Sequence, residues 1–281
     1  MILFRDSSSL RKYITQLPNS KDITGFVPTM GALHNGHIAL IEEAKRHCKL
    51  VISSIFVNPT QFNTLSDFEK YPATLEQDIY LLEKAGTDVL FLPSVIEIYP
   101  NGTSELESYD LGYLEAVLEG SFRPGHFQGV CQVMSRFLLL IQPALLFMGQ
   151  KDYQQCMVVK RLLEQLPVNT KLIACPTIRE IDGLAMSSRN KRLTEQQRKN
   201  AIGIYRALSY ISQNRNRKSI TKVKKEAERI LKEYFFTPQY IEIAGSKNLE
   251  IIQDWNEREE LVALIAAFQD DIRLIDNMLI N

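Results

Sequence analysis

The chain has 281 residues, enough for one large or two moderate domains, and its 45% hydrophobic and 23% charged content is that of an ordinary globular protein. Thirty-three basic residues balance thirty-three acidic ones, so no net field selects nucleic acid or an anionic membrane, and a small-molecule partner is expected. The four cysteines, Cys48, Cys131, Cys156 and Cys175, are widely spaced and form no C-x-x-C pair, which speaks against a zinc knuckle or redox dithiol and for free thiols in a reducing cytoplasm.

At the N-terminus, MILFRDSSSLRKY meets Arg5 and Asp6 before an apolar core of signal-peptide length develops. Short β-rich runs then alternate with amphipathic segments. The runs are ITGFVP (23–28), LVISSIFV (50–57), TDVLFLP (87–93), ALLFMG (144–149) and KLIACP (171–176); several are apolar on successive residues, as strands covered on both faces are. Helices are predicted over 36–48, 73–86, 128–142 and 152–166, the last two stopped by Pro143 and Pro167. Phe137 to Met148, the strongest apolar stretch, is broken by Gln142 and Pro143 and is too short for the roughly 20 residues of a membrane span. Repeated strand, helix, strand predicts an α/β fold, a Rossmann-like doubly wound parallel sheet over residues 1–177.

From 178 to 281 the composition changes to that of a smaller α+β domain. Thr194 to Gln213 and Ser219 to Phe236 read as two charged helices, with Thr194 and Gln197 in capping-box form. QYIEIAG, ELVALIAAF and a short DIRLID run follow as strands, and NRNRKS between the helices reads as a solvated turn.

In open α/β sheets ligands bind beyond the carboxyl ends of the strands, where the unusual residues of this chain collect. In PTMGALHNGH (28–37), Asn35-Gly36 gives a turn into a helix whose first N–H groups face outward, and His34 and His37, three apart, share one side. Two imidazole donors there suit phosphate oxygens. A zinc pair would need a third ligand that no nearby spacing supplies, and a purely structural pair stays open. MSSR (186–189), after Asp182-Gly183, offers two hydroxyls and a guanidinium for a polyphosphate, or caps the helix that follows. Lys151 and Asp152 in GQKD suit a phosphate and a ribose hydroxyl, or form a surface ion pair. Gln61 and Gln155 suit the hydroxyl and carboxylate groups of a small polar substrate, or satisfy loop backbone. RPGHF, with Arg123 and His126, is either a phosphate-binding lid or a rigid connection. His47 reads as a solvated helix residue.

VPTMGALHNGH, SIFVNPTQF, YPATLEQD, EIYPNG, LEGSFRPGHFQGV, MGQKDYQQ, DGLAMSSRN and AAFQDDIRLIDN together resemble, in order and over the whole chain, the successive signatures of the pantoate–β-alanine ligases of the H-x-G-H superfamily. The resemblance implies a ligase of the coenzyme A pathway. ATP and (R)-pantoate give pantoyl adenylate and pyrophosphate, and β-alanine then displaces AMP to give pantothenate. It implies that Met30, Gly31, Ala32, Leu33, His34, Asn35, Gly36 and His37 line the ATP site, with His37 as proton donor. Gly149, Gln150, Lys151, Asp152, Ile178, Met186, Ser187, Ser188 and Arg189 would add nucleotide contacts, and His34, His37, Lys151 and Arg189 would be the catalytic set. Gln61 and Gln155 would hold pantoate, with Asn58 and Tyr71 beside them. It further implies ATP as co-substrate, Mg2+ held largely by phosphates, a cytoplasmic homodimer through the N-terminal domain, and a C-terminal domain acting as a lid. Gln150 and Gln77 stand where relatives often carry acidic residues, so no protein metal ligand is assigned. Two other readings remain: a nucleotidyltransferase acting on a phosphorylated acceptor, which the neutral Gln61 and Gln155 disfavour, and a catalytically silent nucleotide sensor, which would not need His34, His37, Lys151 and Arg189 together.

Overall fold

The computed structural model describes residues 1–17, 24–62, 74–104, 106–255 and 260–280. The chain divides into two compact units, Met1–Gly149 with Gln154–Pro176, and Gln150–Tyr153 with Thr177–Asn281.

The first unit is built on six parallel strands, β1 (Ile2–Phe4), β2 (Thr24–Thr29), β3 (Leu50–Ile55), β4 (Val89–Phe91), β5 (Leu145–Gly149) and β6 (Lys171–Cys175), in the order β1-β4-β3-β2-β5-β6. Alternate residues of each strand serve opposite faces. Phe26, Ile52, Phe91 and Leu146 enter one core with residues of the Ser7–Gln16, His126–Ile141 and Tyr153–Leu163 helices. Val27, Val51, Leu90 and Phe147 enter a second core with residues of the Asn35–His47 and Leu75–Lys84 helices. Covering both faces explains why these strands are apolar on successive positions, and the expected Rossmann-like sheet is present. Strand order reverses between β2 and β5, which pair side by side through Gly25 with Leu145 and Phe26 with Leu146. The loop leaving β2 therefore starts at the topological switch point.

The N-terminal MILF segment is a sheet strand, pairing Ile2, Leu3 and Phe4 with Val89, Leu90 and Phe91. The Ser7–Gln16 helix follows, capped by Asp6, whose carboxylate accepts from the Ser9 N–H at 2.8 Å.

In the second unit β7 (Thr237–Gly245), β8 (Leu261–Gln269) and β9 (Ile272–Ile280) form an antiparallel sheet in that order. The Ile202–Gln213 and Ile220–Glu233 helices share a core with it. The single helix expected over 194–213 is instead two, Glu195–Asn200 and Ile202–Gln213. At the joint the Ile204 N–H reaches back three residues to the Ala201 carbonyl at 3.4 Å, a tighter turn that interrupts the regular i→i−4 ladder. The Thr194–Gln197 capping box is present. The short run expected at 271–276 is a strand that continues to Ile280. Asp276 and Asn277, which look like its polar end, are buried and hydrogen-bonded within it.

Among the described residues no helix is long and apolar enough to cross a membrane. All four cysteines are buried and free. Burial pushes the Cys131 thiol up to about 12 and the Cys175 thiol to about 11. At pH 8 a thiol at about 12 is ionised to about one part in ten thousand. Iodoacetamide at pH 8 is therefore expected to leave Cys131 and Cys175 unmodified in the folded protein and to label both in urea, read by mass spectrometry; labelling of either in the folded protein contradicts this packing.

Candidate active site

The loop after β2 is shaped by a carboxylate from a distant helix. Gly31 and Ala32 both take positive φ, +79° and +49°, so that consecutive backbone N–H groups turn to one side. Such a concavity binds anions. Here Asp78, only 2% exposed on the Leu75–Lys84 helix, fills it, accepting from the Ala32 N–H at 2.9 Å and the Leu33 N–H at 2.8 Å. The Thr74 hydroxyl donates to the same carboxylate at 3.0 Å. Upstream, the Thr29 hydroxyl donates to the Ser54 carbonyl of β3 at 2.7 Å and accepts the Gly31 N–H at 3.2 Å. Left-handed geometry costs an alanine roughly 1–2 kcal/mol, which these bonds offset.

The two histidines that follow are oriented by backbone. His34 caps the Asn35–His47 helix, its Nδ1 accepting the Gly36 N–H at 3.1 Å, and His37 Nδ1 accepts the His34 N–H at 3.3 Å. An Nδ1 that accepts cannot carry the ring proton, so in each neutral imidazole the proton sits on Nε2, at the far edge of the ring. The rings lie 4.1 Å apart between centroids. The helix N-terminus thus differs from the expectation of outward N–H groups: the Gly36 N–H is consumed by His34, and donation passes to the imidazoles. His47 sits at the other end of this helix, exposed, with Nε2 2.9 Å from Glu43 Oε1.

After β3, Asn58 is 1% exposed and fully engaged: its Nδ2 donates to the Gly129 carbonyl at 2.9 Å and its Oδ1 accepts from the Tyr99 hydroxyl at 2.8 Å. Asn58 Nδ2 also lies 3.3 Å from Gln61 Oε1, and Gln61 Nε2 contacts Met30 Sδ at 2.8 Å. Met30, Asn58 and Gln61 are therefore brought together. A Cβ on Gly129 would come within 2.3 Å of the Thr60 carbonyl, so only glycine lets the helix approach this loop. His126 lies 2.7 Å through Nδ1 from the Gln61 carbonyl and 3.0 Å through Nε2 from Arg123 Nη1. With the carbonyl requiring a donor and the guanidinium an acceptor, His126 carries its proton on Nδ1. RPGHF is thereby a brace for the Gln61 backbone. Tyr71 lies outside the described residues. Gln155 is half-buried on the Tyr153–Leu163 helix.

In the second unit, Lys151 is mostly buried and pairs with the exposed Asp152 at 3.6 Å. Asn277 Nδ2 donates to the carbonyls of Gln150 and Lys151 at 2.9 and 2.8 Å. The segment after β6 forms a small hairpin: Arg179 bridges Ala185, and the Met186 N–H donates to the Ile178 carbonyl at 3.0 Å, placing two expected nucleotide contacts side by side. Ser187 Oγ accepts the Arg189 N–H at 3.3 Å, so MSSR does cap the turn at Ser188–Arg192. Asn190 Oδ1, within this turn, and Thr177 Oγ1 are buried without a hydrogen-bond partner among the described residues. Arg198 forks Asp182 at 2.6 and 3.3 Å, and this holds the Asp182 carboxyl below the usual carboxylate range.

The Pantoate-beta-alanine ligase family model matches residues 2–279. The chain is 42% identical to the pantothenate synthetase of Cytophaga hutchinsonii, over 100% of this chain and 99% of that one. It is 38% identical to that of Porphyromonas gingivalis, over 99% of both. Among solved structures, the pantothenate synthetase of Thermus thermophilus matches with a TM-score of 0.91 and 40% identity over 99% of each chain. The pantoate-beta-alanine ligase of Francisella tularensis, described as complexed with beta-gamma ATP and beta-alanine, matches with a TM-score of 0.83 and 38% identity over 99% of this chain and 97% of that one.

Asp78 offers a direct check on the loop. In Asp78→Asn one oxygen becomes an NH2 group that cannot accept, so one buried backbone N–H of Ala32 or Leu33 loses its partner. The expected cost is about 1–3 kcal/mol of stability in urea denaturation; an unchanged midpoint contradicts the clamp.

Proposed function

The chain belongs to the pantoate–β-alanine ligase family, and we propose that it makes pantothenate in two steps through a pantoyl adenylate. The observation that carries this reading is the pair of imidazoles whose Nδ1 atoms are committed to backbone, so that each carries its donor on Nε2, with ring centroids 4.1 Å apart at the switch point of the sheet.

Pantoate's carboxylate is ionised at neutral pH, since carboxyl groups titrate near about 4, so its attack on the α-phosphate of ATP needs no general base. It needs alignment and charge stabilisation. One carboxylate oxygen forms the new bond to phosphorus as the bond to the bridging oxygen breaks, and pyrophosphate leaves with the electron pair. His34 and His37 donate to the phosphate oxygens on which charge grows, with His37 the proton donor. Further nucleotide contacts are assigned to Gly149–Asp152, Ile178 and Met186–Arg189, with Lys151 and Arg189 supplying positive charge. Gln61 and Gln155 are assigned to the carboxylate and hydroxyl groups of pantoate, Gln61 also to β-alanine; Tyr71 is assigned to the same substrate on the sequence resemblance, and Asn58, whose amide is spent on Gly129 and Tyr99, supports Gln61. The amine of β-alanine then attacks the acyl carbonyl, AMP leaves, and the nitrogen gives up a proton to form the amide.

Magnesium bound with the nucleotide would supply charge neutralisation on its phosphates. Among the described residues no three His, Cys, Asp or Glu side chains converge on a possible metal position, and both Asp78 oxygens already accept hydrogen bonds. This donor set fits a cation held mainly by phosphate and water. The homodimer and cytoplasmic setting rest on the sequence resemblance.

The test follows pyrophosphate and AMP from ATP, magnesium and (R)-pantoate, with and without β-alanine. Wild type is expected to form pyrophosphate from pantoate alone in a single stoichiometric burst and to release AMP only with β-alanine. His37→Ala is expected to slow the pyrophosphate step by about 100-fold or more, the usual cost of removing one transition-state donor. Pyrophosphate formed only with a phosphorylated acceptor, or ATP binding without turnover, would sink the reading.

A further inference from the structure

The second unit contains a buried polar chain that the assignments above do not use. Asn277 lies mid-strand in β9, opposite Leu264, and is 2% exposed; its neighbour Asp276 is 5% exposed. Burying a primary amide in a sheet is costly unless every donor is used, and an apolar residue would fill the place without that cost. The amide is used at both ends, its Oδ1 accepting from Gln150 Nε2 at 3.5 Å. Its Nδ2 donates to two consecutive carbonyls, those of Gln150 and Lys151, at 2.9 and 2.8 Å. Two consecutive carbonyls held by one nitrogen fix the peptide planes on either side of the Lys151 Cα, from which the Lys151 side chain springs.

Asn277 is itself held. Its N–H donates to Asp276 Oδ1 at 2.8 Å and its carbonyl accepts from Arg179 Nη2 at 3.1 Å. Arg179 forks Asp276 at 2.5 and 3.1 Å, donates to the Gly183 carbonyl at 3.1 Å and stacks 5.0 Å over the Tyr205 ring. Asp276 thus faces Arg179 and the charge of Lys151. One guanidinium therefore fastens the hairpin that leads into Met186–Arg189, and one amide fastens the Gln150–Lys151 backbone, both to adjacent residues of one strand.

We propose that Asn277 is a positioning residue for Lys151, with the Arg179–Asp276 pair fixing Asn277 and the 186–189 segment in the same frame. The proposal rests on the nucleotide-contact role given to Lys151 above. It makes the last strand of the chain a determinant of ATP affinity although Asn277 is not assigned a contact with ATP.

The test is calorimetric binding of magnesium-ATP to wild type, Asn277→Ala, Lys151→Ala and the double variant, with KM for pantoate measured alongside. Asn277→Ala is expected to weaken ATP about tenfold and leave KM for pantoate within about twofold, and its effect should shrink to less than about twofold in the Lys151→Ala background, because coupled residues are non-additive. Asn277→Asp keeps the shape but sets oxygens against both carbonyls, and should weaken ATP at least as much; it stands in if the alanine variant does not fold. Independent, multiplicative losses, equal effects on ATP and pantoate, or unchanged ATP affinity would each overturn the proposal. If wild type binds ATP and the cycle couples but no pantothenate forms, the functional reading fails while the positioning role stands.

Discussion

The carboxylate of Asp78 inside the loop after β2 is the interaction on which the site depends. A chain leaving a parallel strand and entering a helix exposes a run of backbone N–H groups that must be satisfied. Here four of them are engaged internally: Ala32 and Leu33 with Asp78, His34 with His37 Nδ1, and Gly36 with His34 Nδ1. The loop is consequently not a bare backbone cradle for phosphate. Its anion-binding concavity is already filled, and its capacity to donate has moved to two imidazole edges whose protonation follows from backbone contacts. Such donors need no reorganisation when charge develops, which is the condition for electrostatic stabilisation to be effective.

The same logic holds elsewhere in the first unit. Gln61 is braced through its side chain by Asn58 and through its backbone by His126, and Asn58 in turn ties to Gly129 and Tyr99. Groups assigned to substrate rest on neighbours whose hydrogen-bonding capacity is spent on protein. In the second unit Asn277 and Arg179 do likewise for Lys151 and the 186–189 segment. A site built this way trades buried polar desolvation for fixed side-chain directions.

Much of this was legible in the sequence because it is local. Five of the six parallel strands announce themselves as apolar runs, and PTMGALHNGH declares its turn and its histidine pair by spacing alone. The misses have physical reasons. β1 has three residues next to Arg5 and Asp6, too few for any period to show. The break at Ala201 is a change of hydrogen-bond step in a turn that includes Gly203, and a single glycine inside a helical pattern does not by itself mark an end. β9 outruns its apolar signal because Asp276 and Asn277 are buried through partners far away in sequence, Asn277 and Lys151 being 126 residues apart. Asp78 reads as one more acid on an amphipathic helix; only the fold brings it to a loop 45 residues earlier. The helix N-terminus was expected to present its own N–H groups because sequence shows the histidines' spacing and not which way Nδ1 faces.

The most direct measurement is the tautomer of His34 and His37, from long-range proton–nitrogen correlation NMR on protein labelled with nitrogen-15 in histidine, at a pH where both rings are neutral. The hydrogen bonds require Nε2–H with an unprotonated Nδ1 in both rings, and in Asp78→Asn the loosened loop should let at least one ring exchange between tautomers. A single Nδ1–H tautomer at either ring in the wild-type protein would contradict the account, because a protonated Nδ1 cannot accept the backbone N–H that orients it.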